Sequence, residues 1–245
     1  MKAVVLCAGA GSRLGSMTKN VPKAMLPLKN KPLLAYILDY LAKSDIREIA
    51  INVHFFAKQI IEHFKDGSEY NVSLHYSCEE EPLGTAGALA KLAAWLEDED
   101  CLVLYGDVLT NQDISILIDT HHKENSFATL LLHKRKKSNS IVKMNKTGRI
   151  TCFKERPSEQ ERIELVGKHN DVWVNSGIQV VSKDAVRYII DTQAFDLPRD
   201  VYCKVVDRKR IFGVPLVGFR MAIDSPKRYY EAQKAIEKGN YQTLG

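Results

Sequence analysis

The residues best suited to chemistry stand close to the start of the chain, in Leu6-Cys7-Ala8-Gly9-Ala10-Gly11-Ser12-Arg13-Leu14. The apolar run Ala3–Cys7 has the length of a buried strand, and it ends in small residues. Small residues after a parallel strand let backbone N–H groups approach a phosphate chain and turn partial positive charge toward it. Leu6, Ala8, Gly9, Ala10, Gly11 and Ser12 are therefore candidates for a phosphate cradle, and Arg13 adds a permanently charged fork inside it. No Gly-Lys-Ser/Thr follows, and Gly9, Gly11 and Gly15 do not have the spacing of a dinucleotide loop. The second strand ends in Asn52-Val53-His54, without the acid that would hold a ribose. A structural tight turn is the competing reading. Downstream, Val21-Pro22-Lys23-Ala24-Met25-Leu26-Pro27 sets a lysine between two prolines, which restrict the backbone and hold Lys23 in one direction. Read alone, Lys23 is an exposed lysine in a stiff loop.

These positions need a scaffold, and the 245 residues supply enough chain for one large α/β domain. Strand-length apolar runs alternate with helical periods, the pattern of a parallel sheet wrapped by helices. Strands are expected at Ala3–Cys7, Ile49–Val53, Val72–Tyr76, Cys101–Tyr105 and Ala128–Leu132. Helices are expected at Pro32 to Lys43, Ala57–Phe64, Thr85–Leu96 and Ile114 to Lys123. Beyond residue 133 the rhythm changes: Ile141–Met144 and Arg149–Phe153 flank Asn145-Lys146-Thr147-Gly148, a hairpin signal. A strand at Ile178–Val181, a helix near Lys183–Ile190, strands near Ile211–Val214 and Val217–Met221 and a helix from Pro226 to Lys238 complete the expectation. The fold class is thus α/β, a Rossmann-like, mostly parallel mixed sheet flanked by helices. It forms a single domain over 1–245, with 1–132 the phosphate-cradling half and 133–245 a mixed half that completes a cleft.

Composition excludes several classes. Five cysteines, odd in number and without a C-x-x-C pair, argue against a disulfide framework and a zinc site, and they suit a reducing cytoplasm. The first residues are too short an apolar run for a signal peptide, and no segment approaches the roughly 20 apolar residues of a membrane span. The net charge of +5 fits small anions as well as nucleic acid. The basic run Lys134-Arg135-Lys136-Lys137 reads as a solvated turn, with no aromatic stacking motif beside it to favour a nucleic acid. Oligomeric state stays open, a homo-oligomer included.

Taken together, the motifs resemble the sugar-1-phosphate nucleotidylyltransferase family. Gly9-Ala10-Gly11-Ser12-Arg13-Leu14 followed by Pro22-Lys23 matches its signature. The resemblance continues at Glu80-Glu81-Pro82-Leu83-Gly84-Thr85-Ala86-Gly87, at Gly106-Asp107, at Phe153-Lys154-Glu155-Arg156-Pro157, at Val174-Asn175-Ser176-Gly177 and at Ile223-Asp224-Ser225-Pro226. It implies that the glycine loop binds a nucleoside triphosphate, with Glu80, Pro82, Gly84, Thr85 and Gly87 reading the base. It also implies that Asn139, Glu155, Arg156, Asn175 and Gly177 line a sugar pocket. Arg13, Lys23 and Asp107 become the catalytic set, and Asp107 with Asp224 the holders of Mg²⁺. Each also has an ordinary structural reading: a helix start at Gly84–Thr85, a turn at Gly106–Asp107 and at Asn175–Gly177, and a helix cap at Asp224.

The chain departs from the family at three points. Ala8 stands where a first glycine is common, and Ser138-Asn139-Ser140-Ile141 replaces a Tyr-Gly before Val. Asp224 lies two residues beyond the usual metal position, as in the Ile-Asp-Thr-Pro of cytidylyltransferases. Glu-Pro-Leu-Gly-Thr-Ala-Gly is most similar to enzymes making GDP-mannose or GDP-heptose, in compact members without a C-terminal β-helix. The implied substrates are a nucleoside triphosphate, leaning to GTP, and a sugar-1-phosphate. A cytidylyltransferase acting on phosphocholine or a similar acceptor is the alternative, and a silent sugar-nucleotide sensor is the alternative of another class.

Overall fold

The computed structural model describes residues 1–136, 138–166, 172–239 and 241. The chain divides into two compact units that are interleaved in sequence. The first comprises Met1–Pro82, Cys101–Ile114 and Val217–Gly245; the second comprises Leu83–Asp100 and Ser115–Leu216. The units therefore do not separate at residue 132.

In the first unit, strands β1 (Lys2–Leu6), β2 (Glu48–Val53), β3 (Ser73–Cys78) and β4 (Cys101–Tyr105) form a wholly parallel sheet in the order β4-β1-β2-β3. Val4, Val5, Ile49, Ile51, Leu102 and Leu104 are fully buried, as expected of strands covered on both faces. In register, Leu6 stands opposite both Asn52 and Tyr105, so the carboxyl ends of three strands finish together. The helix Leu33–Lys43 starts one residue after Pro32, which fixes its entry, and it buries Leu33, Leu34, Ile37, Leu38 and Leu41. Its Tyr36 and Tyr40 hydroxyls, also buried, donate to the carbonyls of Leu28 and Gln112 at 2.9 and 2.6 Å. A second apolar cluster of Leu14, Leu26, Leu28, Leu109, Ile223 and Tyr229 packs the glycine loop's continuation against the closing helix Pro226–Glu237.

One expected strand moves. Pairing near the C-terminus begins at Arg220–Ala222, which runs antiparallel to Val108–Thr110, and not at Val217. The amides of Val217 and Gly218 donate to Gln112 Oε1, and that of Phe219 to Asn111 Oδ1, so these residues have no donors left for a ladder.

The second unit carries β5 (Ala128–Arg135), β6 (Ser140–Met144), β7 (Ile150–Glu155), β8 (Val172–Val181) and β9 (Ile211–Pro215) in the order β7-β6-β8-β5-β9. All pairs are antiparallel except β9 with β5, so this sheet is mixed. Strand β5 runs through Arg135 and places Lys134 opposite Trp173, with its ammonium 5.3 Å from the indole centroid. Half of the basic run is therefore strand; its last member, Lys137, lies outside the described residues. The expected helix Thr85–Leu96 is two helices, Gly84–Lys91 and Ala93–Leu96, parted at Leu92. Among the described residues, helical segments at Glu159–Val166, Leu197–Tyr202 and Cys203–Val205 escaped the periodicity. Glu159–Val166 buries none of its side chains, and Leu197–Tyr202 is a short π-helical stretch capped by Asp196.

Candidate active site

The glycine loop leaves β1 at the carboxyl edge of the parallel sheet, where open α/β sheets bind ligands. Its first amide is held from below: Cys7 N donates to Asn52 Oδ1 at 2.7 Å, and Asn52 Nδ2 donates to Glu79 Oε1 at 2.8 Å. Asn52 and Glu79 are both buried. The strand-end position that would carry a ribose-binding acid in a dinucleotide enzyme instead anchors the loop. After Ala10 the chain turns through Gly11 at φ +64° into a 3₁₀ helix, Ser12–Thr18. Thr18 Oγ1 donates to Gly11 O at 3.1 Å, and a Cβ on Gly11 would stand 3.1 Å from the Thr18 methyl. Gly11 is thus demanded by the fold. Gly9 is not: it has no positive φ, and a Cβ built on it meets nothing within 4 Å. Bareness with no protein contact to explain it is what close approach of a ligand requires.

Three cation–carboxylate pairs, sharing two carboxylates, stand beside this loop. Lys23 begins a short 3₁₀ turn after Pro22, and its Nζ donates to Asp107 Oδ2 at 2.5 Å. Asp107 follows Gly106 directly beyond β4. Gly106 is required there, since a Cβ would fall 2.4 Å from Cys7 Sγ and 2.7 Å from Leu6 O. Burial, and then the Asp107 carboxylate, push the Cys7 thiol up to about 12, so it stays neutral beside the pair. The backbone brings in the last candidate: Ile223 N donates to Asp107 O at 2.8 Å, which sets Asp224 next to the same strand end. Asp224 Oδ2 lies 3.6 Å from Arg13, and its Oδ1 lies 3.5 Å from Arg228. Asp224 is not the cap of the closing helix. Ser225 occupies that position, and it makes no side-chain cap bond.

Arg13, Lys23, Asp107 and Asp224 therefore gather in one unit, with Arg228 as a member that the motifs did not show. Its signal was available, for Arg228 is one helical turn after Asp224. Among the described residues no three His, Cys, Asp or Glu side chains cluster to hold a metal. Asp107 and Asp224 offer only hard carboxylate oxygens, the donor type of Mg²⁺, which takes the rest of its shell from phosphates and water.

The base-reading candidates are shared out: Glu80 and Pro82 belong to the first unit, and Gly84, Thr85 and Gly87 to the second. Gly84 has φ +73°, and a Cβ there would lie 2.2 Å from Phe195 O. Thr85 Oγ1 donates to Asp196 Oδ2 at 3.3 Å and accepts from Leu197 N at 2.8 Å. Both residues lock the helix start against the turn at 195–197, a task separate from any contact with a base.

In the same unit, Asn175, Ser176 and Gly177 form a bulge inside β8, not a turn between elements. Gly177 sits at φ +81° where the register slips between Asn175 and Gln179. The Asn175 side chain clamps the bulge, accepting from Gly177 N at 2.9 Å and donating to Gln179 Oε1 at 3.2 Å. Arg156 N donates to Asn139 O at 2.5 Å, which joins two of the sugar-pocket candidates across the hairpin. Glu155, half-buried at the end of β7, is pushed up to about 6 by burial and then by Asp196, against the opposing pull of Arg156 and Arg199. Asp196 was not expected from sequence, because nothing near Phe195 resembles a motif.

Comparison with known proteins agrees with this geometry. Residues 2–202 match the model of the nucleotidyl transferase family. The UTP–glucose-1-phosphate uridylyltransferase of Synechocystis sp. is 29% identical over 236 residues, covering 90% of this chain but 58% of its own length. The D-glycero-alpha-D-manno-heptose 1-phosphate guanylyltransferase of Aneurinibacillus thermoaerophilus is 28% identical over 238 residues, covering 97% of this chain and 99% of its own. The fold is that of HddC from Yersinia pseudotuberculosis, solved with GMP-PN, at TM-score 0.78 and 22% identity over 96% of this chain and 99% of that one. A parallel sheet ending in a glycine loop, with Lys23, Asp107 and Asp224 beside it in the same unit, accords with these matches, and the chain belongs to the nucleotidyl transferase family.

Proposed function

We propose that this protein transfers a nucleoside monophosphate from a nucleoside triphosphate to a sugar-1-phosphate and releases pyrophosphate, with GTP and mannose- or heptose-1-phosphate as its preferred pair. The observation that carries this reading is the Lys23–Asp107 pair at the mouth of a loop whose Gly9 is bare toward open space. The preference for GTP is supported by the guanylyltransferase that matches the chain along nearly its whole length. Cysteines without a disulfide, all five of them, suit operation in the cytoplasm.

The attacking atom is an oxygen of the sugar phosphate, ionised at neutral pH, so no side chain has to remove a proton. Its bond to the α-phosphorus forms as the bond from that phosphorus to the bridging oxygen breaks, and the electron pair leaves with pyrophosphate. The difficulty is bringing two anions together, and positioned positive charge lowers it. Loop amides from Ala8 to Ser12 and the Arg13 guanidinium would hold the departing phosphates. Lys23, poised on Asp107, would draw the acceptor phosphate toward the α-phosphorus. Asp107 and Asp224 would hold Mg²⁺, which when bound supplies charge neutralisation on the phosphate oxygens. Glu80, Pro82, Gly84, Thr85 and Gly87 are assigned to the base. Asn139, Glu155, Arg156, Asn175 and Gly177 are assigned to the sugar.

The test is pyrophosphate release by purified protein with Mg²⁺, each of four nucleoside triphosphates and a panel of acceptors made up of sugar-1-phosphates and phosphocholine. Turnover with GTP and mannose- or heptose-1-phosphate is expected. Turnover only with CTP and phosphocholine would replace the substrate assignment, and nucleotide binding without turnover on any acceptor would overturn the enzyme reading.

A further inference from the structure

The second unit holds a cleft of about 440 Å³ that none of the assigned residues enters. It opens where β5 and β9 begin and β8 ends, next to the start of the helix Lys183–Thr192. Ala128 pairs there with Val181 and Ile211, whereas Asn175 pairs with Leu132. The bulge of the sugar-pocket candidates is thus four residues further along β5, roughly 13 Å away at the rise of a strand.

The charges around the cleft do not balance. Asp100 and Asp184 are its carboxylates, and both are committed. Asp100 accepts from Lys183 N at 2.9 Å and stands 3.3 Å from His121 Nε2, while Asp184 pairs with Arg187 at 3.1 Å. Arg210 is likewise spent, on Glu124 at 3.0 Å. Lys183, Arg208 and Lys209 also line the cleft, and none of the three has a carboxylate within ion-pairing distance among the described residues. Arg208 and Lys209 are held at its rim by a turn, since both amides donate to Val205 O. At its wall, Ser126 is 4% exposed, and its hydroxyl has no hydrogen-bond partner among the described residues. A buried hydroxyl left unmatched costs free energy that a bound acceptor would recover.

We propose that this cleft is an anion site for a small phosphate-bearing molecule, held by Lys183, Arg208 and Lys209 with Ser126 donating from the wall. Three cations without a carboxylate partner, Lys209 among them with its ammonium 5.3 Å from the Phe127 ring centroid, and a buried donor match the several acceptor oxygens of a phosphate better than the single carboxylate of an amino acid. The proposal stands apart from the reaction assigned above and does not require it.

Histidine ring resonances of the whole protein, followed while inorganic phosphate replaces chloride at constant ionic strength, test it. His122 lines the cleft and is exposed, and a His122→Gln variant assigns its signal. The expected result is a saturable shift of the His122 signal at pH 8. The double variant Arg208→Gln/Lys209→Gln should weaken that binding by at least about tenfold, and Lys183→Gln should weaken it separately. Arg13→Ala should leave it unchanged. Arg208, Lys209 and Lys183 are all exposed, so these variants fold. A linear shift without saturation, an unchanged affinity in the cleft variants, or loss of the shift with Arg13→Ala would each overturn the proposal.

Discussion

Lys23 and Asp107, 84 residues apart in the chain, meet in a 2.5 Å ion pair between the Pro22 turn and the end of β4. Each side chain is mostly shielded, at 15% and 23% exposure, so the pair is preorganised and not a loose surface contact. Replacing Lys23 by Ala is expected to lower turnover about 10²–10³-fold, the scale of losing one preorganised charged donor. Lys23→Arg should not restore it, because a planar fork does not fit a point-charge site. Steady-state pyrophosphate release measures both, and near-normal turnover of Lys23→Ala would remove this lysine from the mechanism.

Asn52 links the loop to a buried carboxylate, accepting from Cys7 N and donating to Glu79. Asn52→Ala should cost ~1–3 kcal/mol of stability, the desolvation of buried groups left without that partner. Asn52→Asp should be worse at neutral pH, where it would set a second carboxylate against Glu79, and it should recover on acidification. Urea unfolding at pH 5 and pH 8 separates the two effects. Equal stability of Asn52→Asp at both values would contradict the contact.

Gly9 and Gly11 are expected to respond oppositely to alanine. At Gly11, φ +64° and the nearby Thr18 methyl predict a stability loss of about 1–2 kcal/mol. At Gly9, with open space before its Cβ, melting should barely change while nucleotide affinity falls. Thermal melting and nucleotide titration of the two variants form the check, and a Gly9→Ala protein with unaltered nucleotide affinity would deny the loop its ligand.

Glu155 makes a pH prediction. Its folded value is about 6 against an ordinary 4.5, so the folded state holds the proton more tightly than the unfolded state does. Its contribution to stability is full below about 4.5 and is lost as pH rises through about 6. Glu155→Gln removes that loss. The melting temperature of the variant relative to the parent should therefore climb between pH 4.5 and 7. A difference that stays flat with pH would mean that burial and Asp196 do not act on this carboxylate.

Sequence alone determined the local part of this protein. Strands β1, β2 and β4 were legible because buried parallel strands are continuous apolar runs, and the hairpin at Asn145–Gly148 because its turn residues are chemically specific. The loop from Leu6 to Arg13 and the isolated Lys23 were legible as ordered motifs, for glycine and proline write backbone demands directly into sequence. Tertiary structure decided the partners. Asn52 could not be seen as the anchor of Cys7, nor Asp196 as a charge acting on Glu155, since each relation joins strand ends or turns far apart in the chain. The strand expected at Val217 was displaced to Arg220 for the same reason: Asn111 and Gln112, more than a hundred residues earlier, take the amides that the ladder would have used. Periodicity records which face a residue shows to a core, but a hydrogen bond between distant loops has no period, and only the folded chain supplies it.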